Sequence, residues 1–129
     1  MVGFVISHKF LAKELLETAR SIIGHTQNVY AFSNHKLSNE ELISQLNEVY
    51  KSIGSPRYVV LMVDLRGGNC WQVAKFFAHN HSDFSILSGV NLPMIFSFLT
   101  KKDSLEKNEL VKVIENDAHR GIVLEVKNL

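Results

Sequence analysis

The chain has little cysteine, little net charge and no long apolar run, and each shortage excludes a class of protein. Its one cysteine, Cys70, excludes an intrachain disulfide and a cysteine-based zinc cage, and it suits a reducing compartment. The formal net charge is +1, and no basic block carries interleaved aromatic residues, so nucleic-acid binding is not expected. Direct membrane insertion is not expected either, because no stretch approaches the roughly 20 apolar residues that span a bilayer.

Length and composition are those of one ordinary globular domain. The chain has 129 residues, of which 46% are hydrophobic and 21% are charged, and we predict a single domain over residues 1–129. The first apolar run, Val2–Ile6, soon gives way to His8 and Lys9, whereas a secretory signal peptide needs a longer apolar region. We therefore predict a cytoplasmic protein.

Apolar segments alternate between the strand period and the helix period along the chain. This alternation predicts a doubly wound, flavodoxin-like α/β fold with a mainly parallel sheet of order 2-1-3-4 and a C-terminal antiparallel edge strand. Aromatic residues such as Phe76 and Phe98 are assigned to the core. Strands are predicted at Val2–Ile6, Asn28–Phe32, Tyr58–Val63, Phe84–Leu87 and Ile122–Val126. Helices are predicted at Lys9–Gly24, from Ser38 to Gly54, at about 69–78, after a cap at Asn91 with Pro93 in the first turn, and at about 104–116.

Two ionisable residues directly follow predicted strands. His8 comes after the first strand, and Asp64 comes after Tyr58–Val63, an unbroken apolar run typical of a central parallel strand. In the order 2-1-3-4 these strands are neighbours, and their carboxyl ends border the crevice where such folds bind ligands. A carboxylate on one imidazole nitrogen selects the tautomer and leaves the other nitrogen free to act as a nucleophile. We therefore predict His8 and Asp64 as the catalytic pair.

The segment Gly67-Gly68-Asn69 supplies a candidate phosphate-binding turn. Two glycines before a helix allow backbone N–H groups to approach an anion, and the helix N-terminus adds partial positive charge. Together with His8 and Asp64, this turn suggests phosphoryl transfer through a phosphohistidine, although a structural histidine and a simple turn remain the alternatives. Neither dinucleotide nor Walker-type glycine patterns occur. No metal site is predicted, because the other histidines lack suitably spaced carboxylates or cysteines.

The chain resembles the enzyme IIA components of the mannose family of the bacterial phosphoenolpyruvate-dependent sugar phosphotransferase system. The family's segments read Thr- or Ser-His-Gly, Val-Asp-x-x-Gly-Gly-Ser-Pro and Gly-Val-Asn-x-Pro-Met, in the same order and at matching separations. The resemblance covers nearly the whole chain. It rests on Ser7-His8, on Val63-Asp64-Leu65-Arg66-Gly67-Gly68-Asn69 and on Gly89-Val90-Asn91-Leu92-Pro93-Met94.

The resemblance implies a phosphoryl relay. His8 would accept the phosphoryl group on Nε2 from the phosphocarrier protein HPr and pass it to a IIB component, with Asp64 orienting and charging the ring. Beside what the resemblance implies, we predict Ser7, Lys9 and Arg66 as secondary residues of the site or of its partner surface. No cofactor is implied for the IIA component. The family also forms homodimers that exchange the last strand, here Ile122–Val126.

Three residues depart from the family pattern, and two other functions stay open. Lys9 stands where the family has glycine, Asn69 replaces a small hydroxyl residue, and Cys70 replaces proline. Cys70 is interpreted as a buried small side chain rather than a catalytic thiol. One alternative function is the phosphoryl-donor subunit of a dihydroxyacetone kinase, against which the segment Gly89–Pro93 argues. The other is a regulatory module, in which phosphorylation of His8 would change a partner interface.

Overall fold

Strands and helices alternate along the chain in the computed structural model, which describes residues 1–126. Most predicted elements are present, with ends shifted by a few residues. The elements are β1 (Val2–Ser7), α1 (Leu11–Ile23), β2 (Val29–Ser33), α2 (Asn39–Ser52), β3 (Val59–Val63), α3 (Asn69–Ala78), β4 (Ser85–Ser88), α4 (Leu92–Lys101) and α5 (Lys107–Arg120).

The four strands form one parallel sheet in the order β2-β1-β3-β4. This confirms the predicted flavodoxin-like order. The central strands are buried along almost their whole length, which is why Val59–Val63 is an unbroken apolar run rather than an alternating one. Because the two central strands are parallel neighbours, the residues that follow them emerge at the same edge of the sheet.

The helices cover both faces of the sheet and create two apolar layers. Val5 and Met62 face α1, α4 and α5, whereas Phe4 and Leu61 face α2 and α3. Successive residues of a strand point to opposite faces, so each central strand contributes to both layers. Phe98 lies in the first layer. The prediction of a core position is wrong for Phe76, which is 68% exposed because it lies on the outer side of α3.

Local signals account for where the helices begin. Ser38 and Glu41 form the predicted capping box at the start of α2, with both reciprocal hydrogen bonds present. Helix α1 begins at Leu11 instead of Lys9, because Lys9 has a φ angle of 49° that a right-handed helix cannot include. No helix within residues 1–126 combines the length and the apolar character that crossing a membrane requires.

The segment after α5 differs from the prediction. Residues 122–126 pair with no strand among the residues that the structure describes, so the predicted edge strand does not form within a single chain. Ile122, Val123, Leu124 and Val126 are between 51% and 86% exposed. The exchange of this segment between two chains stays a prediction.

Candidate functional site

The site lies where the two central strands end. β1 ends at Ser7 and β3 at Val63, and Ile6 is the register partner of Val63. His8 and Asp64 are the next residues of the two strands, so the strand ends bring them into contact. Asp64 Oδ2 lies 2.8 Å from His8 Nδ1 and accepts a hydrogen bond of 2.9 Å from the His8 backbone N–H. Two residues 56 positions apart in the chain therefore form the pair that the sequence predicts.

Asp64 is held in its ionised form. Its side chain is only 9% exposed, and this burial by itself raises the pKa of a carboxyl group. Hydrogen bonds from the His8 backbone N–H, the His8 ring and the Leu65 backbone N–H outweigh burial and lower the pKa of Asp64 below its ordinary value of 3.8. The carboxylate at neutral pH only accepts hydrogen bonds, so His8 Nδ1 carries the proton in their shared bond.

The second ring nitrogen of His8 is available for chemistry. The His8 side chain is 41% exposed, and no hydrogen bond among residues 1–126 involves its Nε2 atom. A neutral imidazole that donates from Nδ1 has its lone pair on Nε2. The nearby Asp64 carboxylate stabilises the positive charge that the ring gains when Nε2 forms a bond. The arrangement can therefore act as a nucleophile at the protein surface.

A glycine turn and the start of α3 form one wall of the site. Gly67 has a φ angle of 83°, a left-handed conformation that glycine adopts at little cost. A Cβ atom at Gly68 would lie 3.4 Å from His8 Cε1, so this glycine packs directly beside the ring. Helix α3 begins at Asn69 without a side-chain cap from the described residues, which leaves its first backbone N–H groups free to bind an anion.

The two neighbours of His8 in the chain are placed differently. Ser7 is completely buried, and its hydroxyl accepts the Ala12 backbone N–H at 2.7 Å and donates to the His8 carbonyl at 3.2 Å. Ser7 thus anchors the turn into α1. It does not belong to an exposed partner surface, in contrast to the prediction for this residue.

Lys9 is exposed, and its backbone has a left-handed conformation, which strains every residue with a Cβ atom. The left-handed backbone would therefore suit the glycine that the resemblance implies at this position.

Replacing Lys9 with glycine is expected to raise the free energy of unfolding by about 0.5–1 kcal/mol, because the left-handed strain disappears. Urea unfolding followed by circular dichroism measures the change. Lys13→Gly is the matched control, since Lys13 is exposed within α1 and glycine there costs about 1 kcal/mol. An equal loss of stability in both variants would contradict the left-handed conformation of Lys9.

Cys70 lies next to the pair of His8 and Asp64, and the sequence does not predict its contact with the His8 ring. Its Sγ atom lies 3.8 Å from His8 Nδ1, although the two residues are 62 positions apart. The side chain is fully buried, as expected. Burial, reinforced by the negative charge of Asp64, raises the pKa of the Cys70 thiol to about 12, so the thiol is neutral near pH 7. The only sequence signal was the position of Cys70 beside the glycine turn.

The remaining predicted site residues lie on the surface. Asn69 is exposed at the first position of α3. Arg66 is exposed in the loop after Asp64 and lines a groove of about 490 Å³ next to the end of β4. Both side chains can meet an anion or a partner protein without first being uncovered.

The third motif, Gly89–Met94, stabilises the structure next to the site. Asn91 accepts the Met94 backbone N–H at 2.9 Å and thereby caps α4. Its side-chain amide also donates to the Ala118 carbonyl at 3.1 Å, at the end of α5. The Val90 backbone N–H donates to the Val63 carbonyl at 3.0 Å, which holds this loop against the end of β3.

Comparisons of the sequence with known proteins agree on one family. Residues 3–115 match the sequence model of the family described as the PTS system fructose IIA component. The chain is 25% identical over 118 residues to the PTS system mannose-specific EIIAB component of Escherichia coli (strain K12). The aligned region covers 90% of this chain but only 36% of that relative. This chain is also 26% identical over 113 residues to the PTS system fructose-specific EIIA component of Bacillus subtilis (strain 168). That aligned region covers 86% of this chain and 77% of the Bacillus protein.

Solved structures share the fold. The phosphotransferase system component EIIA from Streptococcus agalactiae superposes with a TM-score of 0.85 at 21% identity, over 95% of each chain. The mannose/sorbose specific IIA subunit from Enterococcus faecalis superposes with a TM-score of 0.81 at 18% identity, over 99% of this chain and 97% of the other. The family match spans most of this chain. The chain therefore belongs to the fructose and mannose IIA family, whose members are components of the sugar phosphotransferase system.

Proposed function

We propose that this chain relays a phosphoryl group during sugar uptake, with His8 as the residue that carries it. His8 would accept the group from phosphorylated HPr and pass it to a IIB component. The observation that carries the proposal is the contact of 2.8 Å between His8 Nδ1 and Asp64 Oδ2. This contact supports the proposal, because it places the ring proton on Nδ1 and leaves the lone pair on Nε2.

The transfer needs positioning and electrostatic stabilisation rather than acid or base chemistry on carbon. The Nε2 lone pair forms a bond to phosphorus while the bond between phosphorus and the donor breaks, and the donor keeps that electron pair. The His8 ring gains positive charge, which the Asp64 carboxylate stabilises. The transferred group carries negative charge on its oxygens, and the free N–H groups at the start of α3 suit it.

The surroundings of His8 favour a protein donor and acceptor over a small-molecule substrate. The His8 side chain is 41% exposed, and exposed apolar residues lie near it in the chain and in the loop after Asp64. Phe10, Leu11 and Leu65 are 53%, 46% and 61% exposed. Lys9 and Arg66 lie on the same loops and are also exposed. An apolar patch with charged residues at its margin is typical of a protein–protein contact surface.

The proposal also includes a cytoplasmic homodimer. β4 is an edge strand of the sheet, paired only with β3 among the described strands. Ile86 and Leu87 of this edge strand line the groove of about 490 Å³, together with Ile122. The exposed apolar segment at 122–126 of a second copy suits this groove and the unpaired backbone of β4. A dimer would thus cover both exposed features at once.

Intact-protein mass after incubation with phosphoenolpyruvate, enzyme I and HPr tests the relay. The wild type is expected to gain one acid-labile phosphoryl group, and His8→Gln is expected to gain none, because glutamine offers no nucleophilic ring nitrogen. His79→Gln is the matched control, since His79 is exposed at the far end of α3, and it should be phosphorylated like the wild type.

Two further outcomes separate the alternatives. Loss of the phosphoryl group after addition of a IIB component would support the relay, whereas retention of the group would favour a regulatory module. A wild-type chain that is folded by circular dichroism and gains no phosphoryl group would overturn the proposal.

A further inference from the structure

We propose that His8, Asp64 and Cys70 form a binding site for a thiophilic divalent cation such as Zn²⁺, and that the bound cation blocks phosphoryl acceptance. The three residues offer a ring nitrogen, a carboxylate oxygen and a thiol sulfur. These ligand atoms all lie within 4.8 Å of one another. This is the ligand chemistry that zinc prefers in proteins.

The spacing of the three atoms is close to that of a tetrahedral site. With metal–nitrogen and metal–oxygen bonds of about 2.1 Å and a metal–sulfur bond of about 2.3 Å, neighbouring ligand atoms stand about 3.3–3.6 Å apart. His8 Nδ1 lies 2.8 Å from Asp64 Oδ2 and 3.8 Å from Cys70 Sγ. Shifts of about half an ångström would bring these two distances to the tetrahedral spacing. The Asp64 oxygen and Cys70 Sγ, which lie within 4.8 Å of each other, would draw together around the cation, with a fourth position left for water.

The charges at the site also suit a dication. Asp64 is ionised near neutral pH, and a bound cation deprotonates a coordinating thiol outright despite its high intrinsic pKa. One carboxylate and one thiolate then balance two positive charges. The partial positive charge at the N-terminus of α3, where Cys70 is the second residue, favours the thiolate form of the cysteine.

Access to the site is from the His8 side. Cys70 is fully buried, but the imidazole that lies against its sulfur is 41% exposed. Displacement of this exposed ring is the movement that would let a cation from solvent reach the sulfur. His8, the residue that would carry the phosphoryl group, is therefore also the side chain that covers the cation site.

Cation binding and phosphoryl acceptance exclude each other for a chemical reason. A cation on Nδ1 displaces the proton from that nitrogen, and a neutral ring then carries its proton on Nε2. Nε2 has no lone pair left for phosphorus. In the overall exchange, the thiol proton is released to solvent and the ring proton moves from Nδ1 to Nε2. This regulatory consequence rests on the proposed function, whereas binding of the cation does not.

Cobalt titration tests the site independently of phosphoryl transfer. The wild-type chain is expected to bind one Co²⁺ with a near-ultraviolet thiolate-to-cobalt charge-transfer band, and Zn²⁺ should displace it. Cys70→Ser should show no such band. His8→Gln should bind at least about tenfold more weakly, since even a partner outside the coordination shell has an effect of that size. His79→Gln, which alters an exposed histidine at the far end of α3, should behave like the wild type.

The regulatory consequence is measured with purified phospho-HPr as the donor. Zn²⁺ should block phosphoryl acceptance by the wild type, and a chelator should restore it. The rate of Cys70→Ser, whatever its value without metal, should not change when the same Zn²⁺ concentration is added. The absence of the charge-transfer band in the wild type, or its persistence in Cys70→Ser, would overturn the proposed site. A wild type that shows the band but never accepts a phosphoryl group without metal would instead reject the relay and leave the cation site standing.

Discussion

Replacing Asp64 with asparagine is expected to slow phosphoryl transfer to His8 by at least about a hundredfold. The substitution removes the negative charge that stabilises the ring as Nε2 bonds to phosphorus. It also breaks a hydrogen bond, because Oδ2 accepts the His8 backbone N–H and Oδ1 accepts the Leu65 backbone N–H. Whichever way the amide of asparagine points, its NH₂ group meets one of these donors.

The measurement is the rate of phosphoryl acceptance from purified phospho-HPr, followed by quenched intact-protein mass. Asp83→Asn is the matched control, because Asp83 lies in an ion pair with Arg57 that contacts neither His8 nor Asp64. Its rate should equal that of the wild type. An Asp64→Asn rate within about threefold of the wild-type rate would show that the carboxylate does not assist the transfer.

The same variant gives a second readout in the pH dependence of stability. The pKa of Asp64 is lowered in the folded chain, so its ionised form stabilises the fold above the ordinary pKa of 3.8, and this contribution is lost as the pH falls through the folded pKa. The wild type should therefore be more stable than Asp64→Asn at pH 7, and the difference should shrink below about pH 3.8. A difference that does not change with pH would contradict the lowered pKa.

Removal of the residues after Gly121 is expected to convert a dimer into a folded monomer. The full chain of 14.6 kDa should sediment at about twice its mass, because an exposed apolar segment at 122–126 and an open β4 edge complement each other in a second copy. The shortened chain should keep its circular dichroism spectrum, since the apolar side chains of the segment 122–126 are largely exposed in the single chain. Sedimentation equilibrium measures both masses.

A chain that ends at Val126 is the matched control for this truncation. It keeps the whole apolar segment and should remain dimeric. If the chain that ends at Gly121 also remains dimeric, the two copies associate through another surface. If the full chain is monomeric at concentrations well above those of the phosphoryl-transfer assay, the strand exchange is wrong.

Much of the fold was predictable because it depends on short-range patterns. The unbroken run at 58–63 indicates a central parallel strand, and the capping box of Ser38 and Glu41 marks the start of α2. The pairing of His8 with Asp64 follows from one topological rule, which places the ends of neighbouring parallel strands together. These predictions need only residues close in sequence and a strand order with few alternatives.

The exceptions depend on contacts or backbone angles that no local pattern contains. Periodicity assigns Phe76 to the core, but the outer side of α3 leaves it exposed. Ser7 occupies a position beside His8, but it turns inward to hold the Ala12 backbone N–H. The segment 122–126 has the alternation of a strand, but a strand also needs a partner edge, and this segment pairs with none among the described residues.

The sequence by itself determined the alternating order of strands and helices and the family, which was identified from three motifs. Both depend only on residue types at fixed spacings along the chain. Only the tertiary structure decided that Cys70 lies against the His8 ring, that Ser7 is buried and that Lys9 is left-handed. The physical reason is that burial, pKa shifts and side-chain contacts arise from packing between distant segments. An imidazole becomes a nucleophile or a metal ligand only through the groups that packing brings to its two nitrogens.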